Sequence, residues 1–251
     1  MTACERQRLR ARLELVRWAA GLGAVTDEAL ALRTGGGVRS ARARLVAAER
    51  SGLLRRHSSL RGRPCLFTVT RAGLRACALP PLRPVAVGAA GAEHAIACAV
   101  AAAWLERSFP DQLVTGEAWL RRREHADGER SASSRAAVAL GPGRAPGARH
   151  RPDLLLSPAA GAAGVAAVAV EVELTVKASQ RLRSICLAWA RARHVAGVLY
   201  IASEAVRGPL ERAIARCNGG DRILVVPLAD ISAAAIGPAP SPIARAIPSE
   251  P

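Results

Sequence analysis

One lysine stands against 35 arginines in this chain of 251 residues, and aromatic side chains make up only 3% of it. With so few rings available, the 50% hydrophobic fraction has to build its cores from Leu, Val, Ile and Ala. Cys-x-x-Cys pairs are missing: the six cysteines (4, 65, 77, 98, 186 and 217) are scattered. That supports neither a zinc site nor a disulfide framework, and thiols within apolar helix patterns behave as small hydrophobes. There is no Gly-x-x-x-x-Gly-Lys-[Ser/Thr] loop, so no nucleotide cofactor is expected, and no His-x-Glu pairing suits a zinc hydrolase or deaminase. The longest apolar tract, 85–105, is interrupted by Glu93 and His94 and is too broken for a membrane span. Residues 1–6 lack the apolar run of a signal peptide, and a cytoplasmic location is expected.

What is abundant is positive charge, and it is uneven. The net charge is +16, and residues 1–76 carry 16 arginines against Glu5, Glu14, Asp27, Glu28 and Glu49, a local balance of +11. Such asymmetry points to a polyanion, above all nucleic acid. The same stretch predicts a helix along Leu9, Leu13, Val16 and Ala19, then a short helix capped by Thr26, then a turn at Gly35–Gly37. A basic helix over 38–51 follows, with Val38, Ala41, Leu45 and Ala48 on its apolar face. After it come a basic loop and the strand-like 65–70. This order, with Ser51-Gly-Leu-Leu-Arg-Arg and Phe67-Thr-Val-Thr-Arg-Ala-Gly-Leu74, resembles a bacterial winged helix-turn-helix. The resemblance implies a double-stranded DNA partner, with the third helix in the major groove and wing arginines on phosphate. Arg39, Arg42, Arg55, Arg56, Arg61 and Arg63 are the candidate DNA contacts.

Length favours two domains. The expected division is a DNA-binding domain over 1–78, a Pro/Gly linker over 79–91, an α/β domain over 92–228 and a disordered tail over 229–251. Within the α/β domain the pattern predicts a helix over 92–109, a strand over 113–120 and a flexible loop over 121–150. Strands at 153–156 and 165–174, a helix at 178–195, a strand at 197–202, a helix at 206–217 and a strand at 222–227 complete it. Asp153 stands at the mouth of one strand. Glu171 and Glu173 share a face of the next, since side chains alternate along a strand. The lone Lys177 follows. Hard cations such as Mg2+ take carboxylate oxygens, and a bound metal with a nearby ammonium suits phosphodiester cleavage. Asp153, Glu171 and Glu173 are therefore the candidate Mg2+ ligands, and with Lys177 they form the candidate catalytic set. Glu117 and His150 are outlying candidates, His94 reads as a structural hydrogen-bonding residue, and Trp189 and Tyr200 read as core.

Pro152-Asp153 and Glu171-Val-Glu173, in this order of elements, resemble the PD-(D/E)XK restriction-endonuclease-like superfamily, which implies an α/β domain with a central mixed sheet. This chain departs from the signature: Glu173 stands where the superfamily has its lysine, and Lys177 lies four residues on. A closer resemblance is to bacterial replication-relaxation proteins, carried by His94, His150-Arg-Pro-Asp153, Val168–Lys177, the ensuing helix with Arg181, Arg183, Ile185 and Trp189, and Val198-Leu-Tyr200. It implies a role in replication or transfer of plasmids or other mobile elements. Three readings follow. One is a Mg2+-dependent DNA nuclease or nickase. A second is a non-catalytic replication or transcription regulator, whose α/β domain serves homodimer formation or partner binding. The third is a toxin or defence component acting on RNA.

Overall fold

The structure, a computed structural model, describes residues 2–57, 62–79, 82–127, 136–140, 149–158 and 166–234. By contacts the chain divides into two units, Met1–Arg107 with Gly116–Arg122, and Ser108–Thr115 with Arg123–Pro251. Among the described residues no helix is long and apolar enough to cross a membrane.

The first unit opens with α1 (Ala3–Leu22), started by a capping box between Thr2 and Glu5 and stopped at Gly23. Thr26 caps α2 (Asp27–Thr34) by accepting the Ala29 N–H, and Gly35 ends that helix in the left-handed region. Helix α3 (Val38–Arg50) buries Ala41, Leu45 and Ala48 and leaves most of its arginines outside. Strands β1 (Leu54–His57) and β2 (Leu66–Val69) pair antiparallel, with Leu54 opposite Val69. Val25 adds a bridge to Phe67. Thr70 caps α4 (Arg71–Ala76). The core is aliphatic as expected, with Leu15, Val16, Leu30, Leu45 and Leu66 fully buried around Phe67.

Helix α5 (Ala89–Ser108), which the sequence places at the head of the α/β domain, belongs by contacts to the first unit as far as Arg107. Ala92 clusters with Ala24 and Leu66. Glu106 accepts the indole N–H of Trp18 at 3.0 Å and pairs with Arg33. A helix rich in alanine offers a thin, apolar face, and here that face closes over the strand pair instead of standing apart.

The second unit is a mixed five-strand sheet in the order β3-β6-β7-β8-β9. Its members are β3 (Gln112–Gly116), β6 (Leu154–Pro158), β7 (Val168–Glu173), β8 (Gly197–Ala202) and β9 (Ile223–Pro227). β6 runs antiparallel to β7, whereas β7, β8 and β9 are parallel. Helices α7 (Ser179–Arg191) and α8 (Glu204–Ala215) cover the sheet. Leu182, Ile185, Cys186 and Trp189 of α7 meet Val206 and Leu210 of α8 over Val198 and Tyr200.

Three expectations are corrected. The strand predicted over 113–120 stops at Gly116, and α6 (Glu117–Asp127) takes over. Its first turn carries the helical pair Glu117–Arg121, and Leu120 is buried. The loop predicted over 121–150 contains the end of that helix and a small antiparallel pair, β4 (Val138–Ala139) with β5 (Arg149–His150), because Val138 is buried among the residues that pack against α7. The tail predicted from 229 begins instead with α9 (Leu228–Ala234), anchored by buried Ile231, and 235–251 lie outside the described residues.

Gly73 gives a test of the first unit. A methyl group there would sit 2.3 Å from the Leu53 carbonyl, which is backbone and cannot swing away. Gly73→Ala should cost about 1–3 kcal/mol. Gly35→Ala, facing open space but at φ 66°, should cost about 1 kcal/mol. Thermal denaturation of the two variants should rank them in that order.

Candidate functional site

β6 and β7 carry the acidic residues because of their register. With Leu154 opposite Val170, Asp153 falls opposite Glu171 where the ladder ends. The Asp153 carboxylate accepts the Val172 N–H at 2.8 Å, replacing a strand carbonyl at that end. Alternation puts Ala169, Glu171 and Glu173 on one face of β7. The parallel pairing with β8 sets Glu171 beside Tyr200 and Glu173 beside Ala202. This face is the one α7 covers, so both glutamates are buried, with 5% and 6% of their surface exposed.

Buried carboxylates need partners, and each has them. One oxygen of Glu171 lies 2.8 Å from His150 Nε2 and accepts the Trp189 indole N–H at 2.9 Å. Burial pushes the Glu171 carboxyl well up; the His150 and Trp189 contacts pull it back, and the nearby Asp153 charge pushes it further up. Glu173 is ion-paired with Lys177, four residues on at the strand-to-helix junction. Burial draws the Lys177 ammonium down from the ordinary lysine range, while Glu171 and Asp153 hold it up. Under α7 the surroundings are closed and weakly polar. Burial pushes the Cys186 thiol up to about 12 and carries the Tyr200 phenol well above its usual range. The Tyr200 hydroxyl lies near the Cys186 thiol and Glu171.

The four residues Asp153, Glu171, Glu173 and Lys177 thus share one end of β6 and β7. Still, Asp153, Glu171 and Glu173 do not offer one oxygen each within 4.8 Å of one another, the arrangement that would hold a cation. The reason is local: Asp153 is drawn to a backbone amide, Glu171 to Trp189 and His150, and Glu173 to Lys177. A Mg2+ ion entering here has to displace these donors. Nothing in the arrangement as it stands fits the ion.

Comparison with known proteins finds no matching family model, no matching curated protein and no matching solved structure. The assignment therefore rests on the side chains themselves.

The residues that sequence reasoning undervalues are Trp189 and Tyr200, read only as core, and Cys186, read as a helix-packing thiol. All three reach Glu171 through tertiary packing alone, 15 to 29 positions along the chain, where no local pattern signals the contact. Among the outlying candidates, Glu117 pairs with Arg121 on α6, and His94 lies 3.4 Å from Cys98 Sγ on its own helix.

Of the candidate DNA contacts, Arg61 lies outside the described residues. Arg42 donates to buried Asp27 at 2.6 Å, Arg56 is 3.4 Å from Glu49, and Arg63 is 2.9 Å from Glu93. Arg39 on α3 and Arg55 on β1 are exposed and form no ion pair among the described residues.

The raised carboxyl of Glu171 sets a pH signature. A group whose pKa is higher folded than unfolded adds stability that is fully present below the unfolded pKa and is lost as pH rises through the folded value. Glu171→Gln keeps the shape, accepts from Trp189 and removes the charge. In chelator-containing buffer its melting temperature should exceed the wild type's near pH 8, and the gap should close as pH falls toward about 4. A gap that is constant with pH would show that Glu171 carries no burial penalty.

Proposed function

We propose that this chain is a double-stranded-DNA-binding protein of the replication-relaxation type. In this reading the first unit is a winged helix, and the second is a restriction-endonuclease-like domain whose acidic site is internally satisfied and non-catalytic. The observation that carries DNA binding is the pair Arg39 and Arg55: exposed, without acidic partners among the described residues, and set on the third helix and on the strand that follows it. Arginines so placed suit phosphate neutralisation and groove contact. Arg42 has a different task, compensating the buried Asp27 carboxylate at the start of α2, and Asp27 holds its guanidinium firmly charged.

The non-catalytic reading of the second unit is supported by the saturation of its carboxylates by a backbone amide, a histidine, an indole and an ammonium. One observation favours the second reading, a metal-dependent nickase: Lys177 does reach the acidic cluster despite its displaced position in the chain. An ammonium there would orient water or neutralise charge on a scissile phosphate.

Supercoiled plasmid incubated with the protein and Mg2+ or Mn2+ separates the two. Intact plasmid supports the regulator. Nicking that vanishes in Asp153→Ala supports the nickase, and nicking that persists in Asp153→Ala removes the site assignment. For the first unit, Arg39→Ala with Arg55→Ala should weaken duplex binding and lower the slope of log K against log salt by about 1 per arginine. Arg42→Ala should instead lower the melting temperature, because it strands Asp27. Fluorescence anisotropy and calorimetry read the two effects.

A further inference from the structure

A second basic surface lies in the second unit, away from Glu171 on the outer flank of α7. An open groove of about 960 Å3 runs between that helix and the β4–β5 pair. Its cationic lining is Arg149, Arg183, Arg191 and Arg193, with the His194 imidazole beside them, and among the described residues no aspartate or glutamate lines it. Its floor is apolar, with Leu187 and Ala188 on the helix facing Ala137 and Val138. Arg183, Leu187 and Arg191 are spaced four apart and so lie along one helical row. Eight residues of helix put the two arginines about 12 Å apart along the axis. Arg183, Arg191 and Arg193 are exposed and form no ion pair among the described residues.

The positive potential is dense enough to act on its own members. The imidazole of His194 is pulled below its ordinary range by partial burial and by the guanidinium groups of Arg149 and Arg222. Arg222 stands behind the groove and is fastened to the end of α7, donating to the Ala192 and Val195 carbonyls at 2.5 and 2.7 Å. The cationic rim is therefore built into the fold at its base.

We infer that this groove binds a single-stranded nucleic-acid segment, its phosphates on Arg183, Arg191 and Arg193 and its bases against the apolar floor. Charge complementarity excludes cations and neutral polar ligands. Duplex DNA turns only its phosphates and groove edges outward and has no use for an apolar floor. An unpaired strand exposes base faces that bury on aliphatic surface and stack on guanidinium planes. This inference deepens the DNA-binding reading but uses none of the arginines of α3 and β1, so the two fail separately.

The test uses the full chain and a fluorescently labelled 12-nucleotide single strand, with a duplex of the same sequence as the second probe. Binding is followed by anisotropy over a range of NaCl concentrations. Arg183→Glu with Arg191→Glu, both on exposed positions, should lower single-strand affinity by more than tenfold. The variant should also reduce the salt slope by about 1.4, two phosphate contacts at about 0.7 each, while duplex affinity stays within about twofold. Arg39→Ala with Arg55→Ala should do the reverse. Unchanged single-strand binding in the Arg183/Arg191 variant, with a wild-type melting temperature, would overturn the inference. So would equal loss of both probes, or displacement of the strand by polyglutamate as readily as by unlabelled strand, which would assign the groove to an acidic protein segment.

Discussion

The second unit is organised around one buried carboxylate. Glu171 sits on a sheet face that α7 covers, where an ionised or even a neutral carboxyl without partners would cost several kcal/mol. The fold meets that demand from two directions. Trp189 brings its indole N–H down from α7, and His150 brings its ring in from β5. Because both partners converge on a single oxygen, the rotation of α7 and the placement of the short β4–β5 pair are tied to the same group.

That constraint divides the labour of α7. Its inner face, Leu182, Ile185, Cys186 and Trp189, packs on the sheet and holds Glu171. Its outer row, Arg183, Leu187 and Arg191, forms one wall of the basic groove. Amphipathic helices commonly present one apolar and one polar face. Here the polar face is almost purely cationic, and fixing the inner face also fixes the spacing of the arginines. In the first unit the same economy appears at Asp27, where a buried acid at the start of α2 is compensated by an arginine of α3. Arginine is thus both a structural counter-ion and a surface cation in this chain, and sequence alone does not separate the two roles.

Much of the architecture was legible from periodicity. Apolar residues at helical spacing marked α1, α3, α7 and α8, and the Val/Ile/Leu runs marked β7, β8 and β9 within three residues. The alternation of strands and helices marked an α/β sheet, and its mixed character was what the superfamily resemblance implied. Where the expectations failed, the local signal was composition without pattern. The segment 117–127 is rich in arginine and reads as solvated, but Leu120 gives it a face to bury. The pair at 138–150 consists of two-residue strands, too short to register as alternation, and it exists because Val138 finds α7. At the acidic site, Asp153, Glu171, Glu173 and Lys177 were visible from strand phase and residue type. The donors that occupy them were not, because His150 and Trp189 lie 21 and 18 positions from Glu171.

The sequence by itself determined the longer strands β6 to β9, which strand face carries Glu171 and Glu173, and how far the positive charge exceeds the negative. These are properties of neighbours along the chain, governed by side-chain alternation and local propensity. Only the tertiary structure decided whether the carboxylates gather around an ion or are each bound to a protein donor. It also decided which arginines are pinned to acids and which are left exposed. Those outcomes depend on distances between segments remote in the chain, and a difference of one hydrogen bond, made or not made in a buried setting, is enough to choose between them.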